Sequence, residues 1–339
     1  MLNESGHDIL VPVKRSGAET LKEYGLSIGF DRIGITTADP PADFRRYLDW
    51  IERGGAGDLW YLTEPSRVEK RRDLQRVLPG VRTVIVGAIS YAPQSNHQPT
   101  NAKFARYAWG LDYHKVVLEK LEQLAAWLSE QVDAPFRYRT YVDTGPILER
   151  SLAERAGIGW IGKNTCLMSE ETGSYLYLGE LLSTLDLPTD APALNRCGTC
   201  TRCLDACPTQ ALEAPYQLRS DRCISYQTVE NRNGEIPEPI AQRLNGWVAG
   251  CDICQEVCPW NHEPFPMRLE ALRPLPHLRL SLQELCTLSE DDFHRHFDST
   301  SFRRIGRSAL ARNAKAALRD CGSFAEMRSS GRRDCAPAR

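Results

Sequence analysis

CGTCTRCLDACP, residues 197–208, constrains this chain more than any other stretch. Four cysteines stand at C-x2-C-x2-C-x3-C, with a proline directly after the last. That spacing places three thiolates around one iron–sulfur cluster and sends the fourth to another. A second set of thiolates is therefore required. It is found once the spacing is relaxed: CDICQEVCPW (251–260) supplies C-x2-C-x3-C-P, and Cys223, far upstream in DRCISYQTVE, completes it. With the fourth cysteines exchanged, one [4Fe–4S] site takes Cys197, Cys200, Cys203 and Cys258. The other takes Cys207, Cys223, Cys251 and Cys254. Two structural zinc sites are the plainer alternative, because C-x2-C pairs also bind zinc. Closely spaced cysteines ending in Cys-Pro, twice over, favour clusters.

The redox compartment agrees. The first twenty residues hold no long apolar segment and no twin arginine, so no secretory signal is expected. The longest apolar run, TVIVGAISYAP, is too short to span a bilayer. A cytoplasmic address follows, where thiols stay reduced and cysteine clusters read as metal ligands. Cys166, Cys286, Cys321 and Cys335 are left over and receive no role. Net charge is −2, so a polyanionic partner would have to meet local basic patches.

Ahead of the cysteines lies a chain segment with alternating signals. VRTVIVGAISY (81–91) reads as a buried strand. Residues 113–132 carry Val117, Leu121, Leu124 and Leu128 at helical spacing. RYRTYVD (137–143) reads as a strand running into a helix with Thr144 as cap, Pro146 in the first turn and Gly157 at its end. GSYLYLGELLSTLDL (173–187) reads as another strand. Alternation of this kind predicts an α/β (α+β) domain over 1–190. LPTDAPALNR is a linker, residues 281–320 show short helical patterns, and the tail is expected to be disordered. No G-x-G-x-x-G follows a strand, so no nucleotide-cofactor site is indicated. Residues alone thus give an iron–sulfur oxidoreductase with an unidentified acceptor.

Five stretches go further. ARYAWGLDYHKV (105–116), YVDTGPILERSLAERAGIGWIGKNT (141–165), GSYLYLGELLST (173–184), RCISYQTVE (222–230) and GCDICQEVCPWN (250–261) resemble, in this order, the epoxyqueuosine reductases. The resemblance covers about residues 20–320. It implies reduction of epoxyqueuosine to queuosine in the anticodon loop of tRNA, the last step of queuosine biosynthesis, with cobalamin and two [4Fe–4S] clusters. It implies a nitroreductase-like cobalamin and substrate domain (1–190), a bacterial two-cluster ferredoxin-like domain (191–265), a helical tRNA-contacting region (266–322) and a tail (323–339). It assigns proton donation to Asp143 of the Asp-Thr-Gly-Pro motif. Arg106, Tyr107, His114, Lys163, Asn164, Ser225 and Tyr226 become candidates for the cobalamin or substrate pocket.

Asp143 carries a tension, since a helix N-terminus would favour its carboxylate whereas a proton donor needs the opposite shift. Burial could supply that shift, and the plainer role is a helix cap. Basic residues concentrate twice: six Lys/Arg against two acids in 66–82, and Arg303, Arg304, Arg307, Arg312 and Lys315 without an acid in 302–315. Arg303, Arg304 and Arg307 are the candidate tRNA contacts. A monomer fed by a low-potential electron donor is expected. A reductive dehalogenase-like enzyme, a ferredoxin-type carrier and a zinc-ribbon RNA binder are the competing readings.

Overall fold

The computed structural model describes residues 15–93, 100–133 and 135–329. Residues 1–14, most of the tail and Cys335 lie outside the described residues, as does the Cys321 side chain. A four-stranded sheet organises the first half of the chain. Its strands are β1 (Arg32–Thr37), β2 (Thr83–Ser90), β3 (Tyr138–Tyr141) and β4 (Leu176–Ser183), in the order β1-β2-β4-β3. Every pairing in it is antiparallel, with Val86 opposite Glu180 and Tyr141 opposite Glu180 across the two central ladders. Helices and long excursions, not tight turns, separate its strands, yet each strand returns antiparallel to its neighbour.

β2 is buried along its whole length, as its β-branched run predicts. Both sheet faces are covered. On one lie helices α1 (Arg15–Ser27) and α2 (Tyr113–Gln131), which bring Leu21, Val117, Leu121 and Leu124 against Ile35, Ile85 and Leu181. Each such side chain contributes about 1.5–3 kcal/mol of burial. α2 sits close because β4 has Gly179 beneath it: a Cβ there would lie 2.7 Å from Val117. On the other face, helix α3 (Glu149–Arg155) packs Leu152 and Ala153 against Val84, Val86 and Leu182. Gly157 follows α3 with φ +74, the left-handed conformation that ends helices.

Contrary to expectation, Thr144 does not cap that helix and Pro146 is not in its first turn. α3 begins at Glu149, with Leu148 at the cap position. Residues 142–148 form a bent loop, and Asp143 adopts φ 60 within it. Gly145 lies against the Tyr141 ring, where a Cβ would approach to 2.6 Å, so only glycine fits this turn of the loop.

A separate core gathers three distant segments. Residues 102–109, the interval 224–249, and helices α4 (Leu282–Cys286), α5 (Glu290–Phe297) and α6 (Arg307–Ser329) bury Phe104, Trp247, Leu282, Phe297, Phe302 and Leu310 together. α4 opens on a capping box between Ser281 and Glu284. No helix among the described residues is long and apolar enough to cross a membrane.

Candidate active site and cysteine cavities

Cys203 and Cys254 ride on single helical turns, Arg202–Asp205 and Ile253–Glu256, each beginning where a C-x2-C pair turns the backbone. A cavity of about 360 Å³ is lined by Cys197, Cys200, Cys203 and Cys258. A larger cleft of about 450 Å³ is lined by Cys207, Cys223, Cys251 and Cys254. The last cysteine of each run thus faces the cavity of the other.

Electrostatics divides the thiols in the same way. Burial, then Cys258 and Cys197, push Cys203 up to about 11. Burial also raises Cys251, with Cys223 and Cys207 adding to it. Crowded, buried thiols of this kind become thiolates only around a cationic centre. Among the described residues no three His, Cys, Asp or Glu converge closely enough to hold one ion. The donors instead surround volumes, which suits a polynuclear cluster better than mononuclear zinc.

The cleft extends from its four cysteines to a carboxylate–imidazole pair. Asp112 caps α2, accepting from the His114 backbone N–H at 3.2 Å and facing His114 Nδ1 at 2.7 Å. On the far side of the ring, His114 Nε2 faces Asp143 Oδ2 at 3.4 Å, and the Tyr113 hydroxyl donates to that same oxygen at 3.1 Å. Burial alone would lower His114, but the two carboxylates prevail and push it up to about 9. Burial alone would raise Asp143, yet His114, Tyr113 and Arg304 hold it below the usual carboxylate value. The proton of the pair therefore rests on His114. Asp143 owes its ionisation to these side chains, not to a helix end. Its backbone N–H donates to Glu149 Oε1 at 2.6 Å.

The other expected residues divide. Tyr107, Ser225 and Tyr226 line the cleft, as does Arg304, which is ion-paired to Glu230. The Tyr226 hydroxyl accepts from the Asp58 N–H at 3.2 Å, and Tyr226 opens a π-helical turn that runs to Glu230. Asn164 lines both cavities and donates to the Cys254 carbonyl at 3.3 Å. Lys163 stands at the smaller cavity, where Nζ donates to the carbonyls of Gly198 at 2.7 Å and Cys200 at 2.8 Å.

Arg106 is a correction, since it lies outside the cleft. It is 4 % exposed and bridges Asp252 at 2.9 Å and Glu256 at 2.8 Å, a place dictated by the buried Asp252 carboxylate. Arg303 and Arg307 also lie outside the cleft, paired with Asp298 and Glu290.

Three groups in or near the cleft escape sequence reasoning. Cys166 hydrogen-bonds to Cys254, and that bond leads its shift down to about 7. Glu149 lines the cleft, and Glu180 lies buried behind it. A carboxylate among the apolar residues of LYLGELLS was the available signal for Glu180.

Two cysteine-lined cavities, one opening toward an acid–base pair, define an oxidoreductase built on a double iron–sulfur domain. Residues 196–261 match the model of the 4Fe-4S double cluster binding domain. Residues 71–144 match the model described as epoxyqueuosine reductase QueG, DUF1730. The epoxyqueuosine reductase of Gloeobacter violaceus is 44% identical over 309 residues, covering 89% of this chain and 95% of that protein. That of Synechocystis is 45% identical over 296 residues, 86% of this chain and 100% of the relative.

Among solved structures, an epoxyqueuosine reductase with an epoxyqueuosine-modified tRNA-Tyr stem loop superposes with a TM-score of 0.81 at 34% identity, over 95% of this chain and 87% of that one. The Bacillus subtilis enzyme, seen with its catalytic aspartate loop swung out of the active site, gives 0.81 at 33% over the same shares. The chain belongs to the epoxyqueuosine reductase family.

Proposed function

We propose that this chain reduces epoxyqueuosine to queuosine in the anticodon loop of tRNA. One observation carries the reading: a single cleft has the Cys207, Cys223, Cys251 and Cys254 thiols at one end and the His114–Asp143 pair at the other. Opening an epoxide to an alkene consumes two electrons and two protons and releases water. Electrons enter on the cysteine side and protons on the carboxylate side.

The smaller cavity holds one [4Fe–4S] cluster on Cys197, Cys200, Cys203 and Cys258, and the cysteine end of the cleft holds the other. The remainder of the cleft suits a planar cofactor: Tyr107, Tyr113 and Tyr177 give it an aromatic wall. When bound there, cobalamin supplies the low-valent metal chemistry that side chains lack. Tyr107, Asn164, Ser225 and Tyr226 are the residues placed to hold it. A nitroreductase-like sheet domain and a ferredoxin-like cluster domain are the finer fold reading.

His114 holds the proton at the Nε2 that faces Asp143, and Asp143 Oδ2 relays it to the departing oxygen. Their 3.4 Å separation is of the kind that shortens when substrate closes a site. Asp112 orients the imidazole by engaging Nδ1. Arg304, in the cleft, and Arg303 and Arg307, outside it, are the proposed phosphate contacts. The relative solved with a modified stem loop supports the same partner.

The test is anaerobic reconstitution with iron, sulfide and cobalamin, followed by reduction in the presence of tRNA bearing epoxyqueuosine. Queuosine is expected on nucleoside analysis, and its absence with both clusters loaded overturns the proposal. Metal analysis separates the zinc reading, which requires zinc and no iron. Retained activity in Asp143→Asn would remove Asp143 from the chemistry.

A further inference from the structure

Glu180 is out of place by every rule of strand composition. It occupies the middle of β4, between Val86 and Tyr141, and is 0 % exposed. It alternates with Leu178 and Leu182 on the face that meets α3. No N–H or hydroxyl reaches either of its carboxyl oxygens. After burial, the group that acts on it most strongly is another carboxyl, that of Glu149 at the start of α3. Two carboxyls bond to each other only when one holds a proton.

An ionised Glu180 would be a buried charge facing a like charge, the arrangement a protein avoids by keeping a proton. The groups around the pair are Asp143 on the 142–148 loop, Arg150 on α3 and Tyr113 on α2. Arg150 faces Glu149, the outer member, so the proton belongs on Glu180.

Besides Glu180, Glu149 engages the Asp143 backbone. That second contact, 2.6 Å from the Asp143 N–H, is short and charge-assisted. It falls on a non-glycine residue held at φ 60, a conformation that persists only where its surroundings fix it.

The geometry assigns Glu149 and Glu180 as a positioning pair: protonated Glu180 donates to Glu149, and Glu149 latches the Asp143 backbone so that its carboxylate stays against His114. This assignment rests on the reading of Asp143 as the acid. Both act through Asp143. Direction of pH dependence follows from the proton count. Burial, with Asp143 adding to it, pushes Glu149 up to about 7, while Glu180 titrates well above the ordinary carboxylate range. Above pH about 7 Glu149 is a carboxylate and grips the N–H strongly; below it the grip weakens.

The test uses cluster- and cobalamin-loaded enzyme, single-turnover reduction of an epoxyqueuosine stem loop, and amide hydrogen exchange at Asp143. Wild type is expected to show an acid limb near pH 7 and a protected Asp143 amide. Glu149→Ala loses a hydrogen bond to a charged group. It is expected to slow the step by about 10- to 100-fold and to expose that amide, with substrate affinity little changed.

Glu180→Gln supplies a permanent N–H donor. It is expected to keep the amide protected and to move the acid limb to lower pH, since the hydrogen-bonded carboxylate no longer shares a proton. Glu180→Leu is expected to fold and to resemble Glu149→Ala in part. If Glu149→Ala and Glu180→Leu keep the wild-type pH profile and amide protection while Asp143→Asn is inactive, the positioning assignment is wrong and the acid reading stands. If Asp143→Asn keeps full activity, the acid reading itself falls.

Discussion

Arg106→Leu is the most informative single change outside the cleft. It strands Asp252, whose side chain is 2 % exposed and which sits between cysteines 251 and 254. Removing one partner of a buried ion pair costs about 3–5 kcal/mol, because the remaining charge stays in a low-dielectric site. Two donors survive: the residue-106 backbone N–H at 2.8 Å and Gln255 Nε2 at 3.3 Å. They place the loss near the lower end, about 3 kcal/mol. The Glu256 arm adds little, because that carboxylate is partly in solvent and screened. Lost guanidinium contacts with the Tyr175 and Trp109 rings, at 5.3 and 5.6 Å, add about 1 kcal/mol.

Urea unfolding of the cluster-loaded protein, followed anaerobically, should show the midpoint falling by about 1 M for an m-value near 3 kcal/mol/M. Iron release from the Cys251–Cys254 side should accelerate in parallel. The double variant R106L/D252L should recover much of the loss, since replacing both charges removes the stranded carboxylate. A loss under about 1 kcal/mol in the single variant, or a double variant no better than the single, would refute the reasoning.

His114→Gln should remove the alkaline limb of the rate profile. His114 is protonated below about 9, so wild-type reduction should decline as pH rises through that value. Its raised value also makes a stability contribution that is complete below about 6.5 and lost on titration through about 9, which pH-dependent melting will report. Lys163→Met removes the Nζ bonds to the Gly198 and Cys200 carbonyls, so iron at the smaller cavity should become several-fold more labile to chelator, with the other cluster signal intact. Cys258→Ser and Cys254→Ser should each abolish a different cluster signal in low-temperature electron paramagnetic resonance; loss of the same signal by both would contradict the exchanged assignment.

The sequence makes β2, α2 and β4 visible because each carries a continuous or periodic apolar run that burial alone explains. It makes the two cysteine groupings visible because ligand spacing is a local constraint. What it conceals is set by partners distant in the chain. The antiparallel order of the sheet depends on where each excursion returns. Asp-Thr-Gly-Pro looks like a helix start, but those residues form a loop packed on the Tyr141 ring and the Glu149 carboxylate, and the helix begins at residue 149. Arg106 reads as a pocket residue until Asp252, remote in sequence, claims it. Glu180 stands out among the apolar residues of its strand, but nothing nearby in sequence reveals that its neighbour is another acid.

Asn313 of α6 is fully buried, and its Nδ2 donates to the carbonyls of Thr228 and Val248, both at 2.8 Å. Those carbonyls lie just inside the two ends of the interval between Cys223 and Cys251. The last helix is thus a splint: it sets the span between two thiols that share one cavity. Damage to α6, far from any sulfur, would register first as a change in the colour and reducibility of the protein. A variant screened only for RNA affinity would miss it.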